Sequence, residues 1–138
     1  MEIKKSDLLS TLRDLGIAPG DLLLTHSSYK SLAGAAGSPE DVARTLVDVV
    51  GPGGSSFVPT FNYGELPWDI ATTRSLAGII SDTFRKLPGA IRSNHPTHPL
   101  AGIGPDAAEI LADHRIVHPF GPASPVWRLW ERNAWILL

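Results

Sequence analysis

The chain has 138 residues, of which 43% are hydrophobic and 19% charged, and its formal net charge is -2. This composition supplies a folded core and argues against disorder, the charge balance excludes a basic nucleic-acid footprint, and the absence of cysteine excludes disulfides, thiolate zinc sites and a cysteine nucleophile. The charged N-terminal stretch does not resemble a signal peptide, and no segment has the length of a membrane span. We therefore expect a soluble cytoplasmic protein.

The N-terminal part of the chain predicts a helix, a strand and a loop. Ser6 is a candidate N-cap for a first helix that ends near Gly16. Residues 21–26 (DLLLTH) have the length and apolar character of a buried strand. Residues 27–37 are rich in Ser, Gly and Ala, which predicts a loop after this strand.

A second helix begins at residues 38–41 (SPED), which combine an N-cap serine, a proline at the first helical position and two acidic residues near the positive end of the helix dipole. The helix ends at the glycine-rich residues 51–54, and residues 55–60 (SSFVPT) form the next candidate strand. A strand, a helix and a strand in this order imply a right-handed crossover between parallel strands.

The remaining sequence continues the alternation of strands and helices. It predicts a helix over residues 76–87, short mixed segments at 91–95 and 100–103, a helix after Pro105, and a helix that Ser124 and Pro125 begin. This alternation favours one α/β domain over residues 1–138, with a central sheet flanked by helices.

The last five residues, 134–138 (AWILL), predict the opening of a central, buried strand. Because natural chain ends are usually polar and frayed, this apolar run predicts a domain truncated at its C-terminus. A terminal strand that simply docks in the sheet is the alternative.

The first motif with chemical potential is Thr25-His26-Ser27-Ser28, which stands where the first strand meets the small-residue loop. Ligands of open α/β sheets bind beyond the carboxyl ends of strands, and exposed backbone N–H groups suit an anion such as a pyrophosphate. The alternative is that these residues only form the turn.

The second motif covers residues 92–99 (RSNHPTHP). Arg92 is suited to pair with a phosphate. His95 and His98 have a spacing that metal ligands use, but Pro96 opposes a helix that would present both on one face, so we predict no metal site. An extended polar segment fixed by its prolines is the alternative.

The third motif follows the second strand, where aromatic residues and carboxylates occur together. Tyr63, Glu65 and Asp69 could line a pocket for a cationic ligand, whereas core or loop packing would equally explain the aromatic residues. There is no nucleophile elbow, P-loop or dinucleotide fingerprint. The residues alone thus predict an α/β protein with an anion site at the end of the first strand.

Taken in order, these segments resemble the aminoglycoside 3-N-acetyltransferase family, the antibiotic acetyltransferases distinct from the GNAT superfamily. The resemblance runs from about Gly16 to Leu138 and depends on an ordered set of short segments: LLLTHSS at 22–28, Gly34, GPGG at 51–54, VPTF at 58–61, TTRS at 72–75 with Gly78, FR at 84–85, PGA at 88–90, RS at 92–93, HPTH at 95–98, Gly104, FG at 120–121 and SP at 124–125.

The resemblance implies the family's mixed sheet and acetyl transfer from acetyl-CoA, as cosubstrate, to an amine of a 2-deoxystreptamine antibiotic, which is an antibiotic-resistance activity. It implies no metal, nucleic-acid or membrane partner. The segments that it places near the CoA phosphates and pantetheine contain the candidate cofactor-binding residues His26, Ser27, Ser28, Gly34, Arg92 and Ser93.

Two departures from the family pattern are Thr73-Arg74-Ser75 and Ala123. The histidine that the family uses as a general base is expected beyond Leu138, so no catalytic residue is assigned within the chain. Two alternatives follow for function: a related acetyltransferase that acts on a different amine, or a non-catalytic fragment that retains CoA binding.

Overall fold

The computed structural model describes residues 5–32, 37–64 and 66–138. The elements in chain order are α1 (Lys5–Asp14), β1 (Leu22–Thr25), a 3₁₀ helix (Tyr29–Leu32), α2 (Pro39–Asp48), β2 (Ser55–Pro59), α3 (Ile79–Phe84), β3 (Ile91–Arg92), β4 (Leu100–Ile103), α4 (Ala107–Leu111), a second 3₁₀ helix (His114–Ile116), α5 (Pro125–Glu131) and β5 (Trp135–Leu137).

The five strands form one mixed sheet in the order β3-β4-β2-β1-β5. β1 is parallel to both β2 and β5, and Leu24 pairs with Phe57 in the register with β2. β4 runs antiparallel to β2 and to β3. The structure therefore confirms the predicted α/β fold with a mixed central sheet.

The two faces of the sheet bury different sets of side chains, because successive residues of a strand point to opposite sides. Leu23 of β1 and Val58 of β2 pack with buried residues of α1, α2 and α3. Leu24 and Phe57, their neighbours in sequence, pack with α4 and α5 on the other face. Each fully buried side chain of this kind contributes about 2 kcal/mol of hydrophobic free energy, and the two clusters together form a three-layer core.

Two helix starts that the sequence predicts are confirmed. At α2, the Ser38 hydroxyl accepts a hydrogen bond from the Asp41 N–H at 3.1 Å, and the Asp41 carboxylate accepts one from the Ser38 N–H at 2.9 Å. At α5, the Ser124 hydroxyl accepts from the Trp127 N–H at 3.1 Å. The prediction that Ser6 caps the first helix is wrong, since α1 already includes Ser6.

The turn before β2 requires glycine at Gly54 because the backbone approaches itself closely there. A Cβ atom at this position would lie 2.5 Å from the carbonyl oxygens of both Asp21 and Val50. The Ser55 N–H, directly after it, donates to Asp21 O at 3.0 Å and starts the pairing of β2 with β1.

Helix α3 is shorter than the predicted range 76–87 because Gly78 has a φ of 127°, which ends the preceding loop just before Ile79. The Asp82 carboxylate accepts hydrogen bonds from the Ser75 N–H at 2.8 Å and from Arg85 Nε at 2.7 Å. Burial by itself raises the pKa of the Asp82 carboxyl. The hydrogen bonds from Lys86, Ser75 and Arg85 outweigh this effect and lower the pKa of Asp82 to about 2. This carboxylate therefore ties the loop to the helix across the neutral pH range.

The predicted terminal strand is present, and in this chain it lies at one edge of the sheet. β5 pairs with β1 and, within the described residues, with no other strand, and Trp135 and Ile136 are 42% and 53% exposed. The apolar side chains of β5 are therefore accessible, and a central, buried position for this strand stays a prediction.

None of the helices in the described ranges combines the length and the hydropathy that crossing a bilayer requires.

Candidate functional site

The segments that contain the candidate site residues meet at the end of the sheet where β1 and β2 finish, here called its carboxyl edge. Because β1 and β2 are parallel, their carboxyl ends meet, and His26 and Thr60 follow these ends directly. β4 is antiparallel to β2, so the residues before β4 reach the same edge. There the Thr60 N–H donates to Pro99 O at 2.8 Å and the Asn62 N–H donates to Thr97 O at 3.1 Å.

The first motif lies at this carboxyl edge. The His26 N–H donates to Leu137 O at 2.8 Å, whereas the N–H groups of Ser27 and Ser28 donate to no carbonyl of the described residues. The side chains of His26 and Ser28 are exposed. Partial burial lowers the pKa of His26 from its ordinary value, so its imidazole is neutral at pH 7. Gly34, the other predicted residue of this loop, lies outside the described residues.

A small apolar cavity of about 130 Å³ opens beside His26. It lies between the carboxyl ends of β1 and β2 and the beginning of α5. Its lining residues are Leu24, His26, Pro59, Phe61, Leu100, Phe120 and Val126.

An aromatic cluster continues from this cavity toward solvent. The ring of Phe61 lies 4.9 Å from that of His98 and 5.9 Å from that of Tyr63, between centroids, and Phe120 lies 5.2 Å from His98. Tyr63 is 62% exposed. Sequence analysis missed Phe120 as a site residue, because nothing local in the sequence indicates that this loop returns to the end of β2.

Asp69 forms a turn within the loop that follows β2. Its Oδ1 accepts hydrogen bonds from the N–H groups of Ala71 and Thr72 at 2.9 and 2.7 Å and from the Thr72 hydroxyl at 2.8 Å. The hydrogen bonds from Thr72 lower the pKa of the exposed Asp69 carboxyl below its ordinary value. The carboxylate is thus charged and accessible, while Glu65 lies outside the described residues.

Arg92 reaches from β3 to the same loop. Its Nε donates to the Thr60 hydroxyl at 3.0 Å, its Nη2 to Thr60 O at 2.6 Å, and its Nη1 to the carbonyls of Thr73 and, at 3.4 Å, Ile70. The guanidinium lies 4.8 Å from the centre of the Trp68 ring, a cation–π distance. Burial lowers the pKa of Arg92 to about 10, which leaves it charged at pH 7.

Ser93 is buried and takes part in an internal hydrogen-bond chain. Its hydroxyl accepts from the Leu100 N–H at 2.9 Å and contacts His114 Nδ1 at 2.7 Å. Because the Pro119 carbonyl oxygen can only accept, His114 Nε2 donates to it at 3.3 Å. In the neutral ring Nδ1 is then the acceptor, and the Ser93 hydroxyl donates to it. Both nitrogens are satisfied in the neutral ring, and burial lowers the pKa of His114 to about 4.

The imidazoles of the second motif are also tied into the backbone. His95 Nδ1 accepts the N–H groups of Thr97 at 3.2 Å and His98 at 3.0 Å. Burial, followed by the influence of His98, lowers the pKa of His95. In the described part of the chain, no three or more His, Cys, Asp or Glu side chains form a group that could hold a metal ion.

A family model for aminoglycoside 3-N-acetyltransferase matches residues 24–138. Among curated proteins, aminoglycoside N(3)-acetyltransferase IV of Salmonella sp is 37% identical over 140 residues, which cover 99% of this chain and 53% of that protein. Aminoglycoside N(3)-acetyltransferase IX of Micromonospora chalcea is 31% identical over 158 residues, with 99% and 56% covered. The chain therefore spans about half the length of the curated relatives it matches.

The fold of solved acetyltransferases agrees with these sequence matches. The apoenzyme of aminoglycoside acetyltransferase AAC(3)-IVa superposes with a TM-score of 0.90 at 35% identity, over 99% of this chain and 54% of that one. A mutant of the same enzyme in complex with gentamicin gives a TM-score of 0.89 at 36% identity, over 99% and 53%. AAC-IIIb with CoASH gives 0.86 at 26% identity, over 99% and 59%.

The mixed sheet with helices on both faces defines the class: an α/β protein, a class whose ligands commonly bind beyond the carboxyl ends of the strands. With the family model and the relatives above, the chain belongs to the aminoglycoside 3-N-acetyltransferase family.

The neutral His114 predicts a pH dependence of stability. Its pKa of about 4 in the folded state lies below its ordinary value of 6.5, so the unfolded chain binds more protons between these pH values. The contribution of His114 to stability is therefore greatest above pH 6.5 and decreases by up to about 1.4 kcal/mol per pH unit as the pH falls toward 4. Urea unfolding at several pH values measures this slope.

The His114→Asn variant should show a shallower decrease over the same pH range, whatever its stability at pH 7. His118→Asn is the control for removing an exposed imidazole of the same region. Equal slopes in the wild-type and His114→Asn proteins would contradict a neutral, buried His114.

Proposed function

We propose that the whole protein transfers an acetyl group from acetyl-CoA to an amine of a 2-deoxystreptamine aminoglycoside, in the cytoplasm, where acetyl-CoA is available. The main support is the carboxyl edge of the sheet, where the N–H groups of Ser27 and Ser28 donate to no carbonyl of the described residues, in a chain of the aminoglycoside 3-N-acetyltransferase family. A solved relative binds CoASH and another binds gentamicin, so both ligand classes occur in proteins of this fold.

On the cofactor side, we propose that the segment His26-Ser27-Ser28 contacts the phosphates or pantetheine of acetyl-CoA. Backbone N–H groups and a serine hydroxyl are suitable hydrogen-bond donors to a phosphate. Because these donors are uncharged, binding through them does not require a charged side chain to be desolvated. The neutral His26 adds a polar atom beside the apolar cavity. Cofactor contacts by Arg92 and Ser93 stay predictions, and their polar atoms are engaged with the protein itself.

On the acceptor side, we propose that Tyr63 and Asp69 contact the aminoglycoside, with Glu65 as a further predicted contact. An aminoglycoside is a polycation at neutral pH, and a carboxylate forms a charge-assisted hydrogen bond with an ammonium group. Asp69 is exposed and its pKa is lowered, so it carries its charge at neutral pH, where the acceptor is cationic. The exposed ring of Tyr63 offers an apolar surface to a sugar ring.

In the proposed reaction, a neutral amine attacks the thioester carbon of acetyl-CoA. The new N–C bond forms, the C–S bond breaks, and the CoA thiolate leaves while a base takes the proton from the ammonium nitrogen. Positioning of the two substrates supplies much of the rate. No residue of this chain is proposed as the base, because the family resemblance places that histidine after residue 138.

The activity is tested with the whole protein, acetyl-CoA and a panel of amines, by release of the CoA thiol and mass spectrometry of the product. We expect acetylation of gentamicin or apramycin at the 3-amino group. Transfer only to amines without a 2-deoxystreptamine ring would replace the proposed acceptor with another amine. Tight binding of acetyl-CoA without transfer to any amine would favour a CoA-binding protein without catalysis.

The cofactor assignment is tested with Ser28→Glu, which introduces a negative charge beside the proposed phosphate donors. Because a like charge at this distance opposes the binding of a polyanion, the Kd of acetyl-CoA should rise roughly tenfold or more. Isothermal titration calorimetry measures it. Ser10→Glu, on the exposed surface of α1, is the matched control. Equal Kd values for the wild-type, Ser28→Glu and Ser10→Glu proteins would mean that the cofactor binds elsewhere.

The acceptor assignment is tested with Asp69→Asn. Since the amide oxygen of asparagine still accepts the N–H groups of Ala71 and Thr72, the variant removes the charge and keeps the turn. The KM of the aminoglycoside should rise roughly three- to tenfold, and the KM of acetyl-CoA should not change. Asp113→Asn, an exposed acid away from this loop, is the control. An unchanged acceptor KM would assign the acidic contacts to other residues.

A further inference from the structure

The loop after β2, residues 61–76, is closed at its base and carries the acceptor-side residues. The Leu76 N–H donates to Phe61 O at 2.7 Å, which joins the two ends of the loop. Beyond the base, Gly78 lies beside the cofactor-side segment, since a Cβ there would be 3.9 Å from Ser27 O, in van der Waals contact. The conformation of this loop therefore determines where Tyr63 and Asp69 lie relative to the segment that contains Ser27.

Arg92 is a main connection between this loop and the sheet. It lies in β3, and its guanidinium bonds on one side to Thr60, at the end of β2, and on the other to the carbonyls of Thr73 and Ile70 within the loop. The ring of Trp68, also in the loop, covers the guanidinium, and its Nε1 donates to Asn94 Oδ1 at 3.2 Å. The Arg92 side chain thus joins Trp68, Ile70 and Thr73 of the loop to β3 and to the end of β2.

These contacts oppose the other role that an arginine at this position would have. A guanidinium that binds a phosphate in the bidentate manner uses an edge with two parallel N–H groups free. Here Nε and Nη2 both bond to Thr60, Nη1 bonds to loop carbonyls, and one face is stacked on Trp68. Arg92 also forms no ion pair with a described residue, so neutral carbonyl groups hold it in place.

We propose that Arg92 is a positioning residue for the acceptor amine, which holds residues 66–76 against the ends of β2 and β3, and that it does not bind a phosphate of acetyl-CoA. This inference rests on the proposed function for its acceptor. Its structural part, the attachment of the loop, is independent of any activity.

The test uses Arg92→Lys in the whole protein. Lysine keeps the charge but has no planar fork, so it cannot bond to Thr60 and Thr73 together. We expect the acceptor KM to rise roughly tenfold, as expected for the loss of charge-assisted hydrogen bonds that hold the binding groups, while the KM of acetyl-CoA changes less than about twofold. Trp68→Leu, which removes the stacking and the bond to Asn94, should shift the acceptor KM in the same direction.

Arg128→Lys is the matched control, because the Arg128 guanidinium also donates to three backbone carbonyls, those of Glu109, Ile110 and Ala112, but in a different part of the fold. It should change neither KM. A rise in the KM of acetyl-CoA alone in Arg92→Lys, or no change in either KM, would overturn the proposal. So would equal effects of Arg92→Lys and Arg128→Lys on the acceptor KM, since these would indicate a general loss of stability.

Hydrogen exchange of the chain separates this proposal from the proposed function. In Arg92→Lys, the N–H groups of Thr73 and Leu76, which bond within the loop, should exchange faster, whereas those of α2 should not. Unchanged exchange in the loop would overturn the positioning role even in an active enzyme. Faster exchange in a protein that acetylates no aminoglycoside would retain the attachment and reject only the proposed acceptor.

Discussion

The parallel pairing of β1 with β2 is the constraint on which the site depends. With Leu24 opposite Phe57, β2 ends one residue beyond β1, and the segments that follow the two strands meet: His26 on one side and Thr60 on the other. A slip by one residue would exchange the two faces of each strand. Because helices cover both faces of the sheet, the slip would move Leu23 or Val58 from the core beside α1, α2 and α3 into the core beside α4 and α5. The fit of the side chains to these two different core layers therefore fixes the register and with it the geometry of the edge.

The antiparallel strand β4 adds the second group of residues to this edge. Since it runs against β2, its first residue and the preceding Thr97 and Pro99 lie beside Thr60 and Asn62. The imidazoles of His95 and His98 are brought to the site in this way, although they are distant from β2 in the sequence. Burial lowers the pKa of His95 and of His114 behind it, which favours the neutral form of both imidazoles.

The local parts of this structure were predictable from the sequence, and the long-range parts were not. The caps at Ser38 and Ser124, the helices that follow them and the strand before His26 depend on neighbouring residues, and the structure has them where local rules place them. The pairing of β5 with β1, the bonds of Arg92 to Thr60 and Thr73, and the contact of Phe120 with His98 depend on strand order, which the sequence does not encode locally. The family resemblance supplied the sheet type but not these side-chain contacts.

The β1 side and the β2 side of the carboxyl edge use their polar groups differently, which supports different binding roles for the two sides. Beside β1, the N–H groups of Ser27 and Ser28 are unused by the described residues, a costly state for buried amides but a suitable one for groups that face a ligand. At the end of β2, the Arg92 guanidinium donates to Thr60 O, and Asp69 Oδ1 accepts a hydrogen bond from the Ala71 N–H within the loop. The β1 side is therefore suited to bind through its backbone, and the β2 side through the shape of a loop that its own side chains hold.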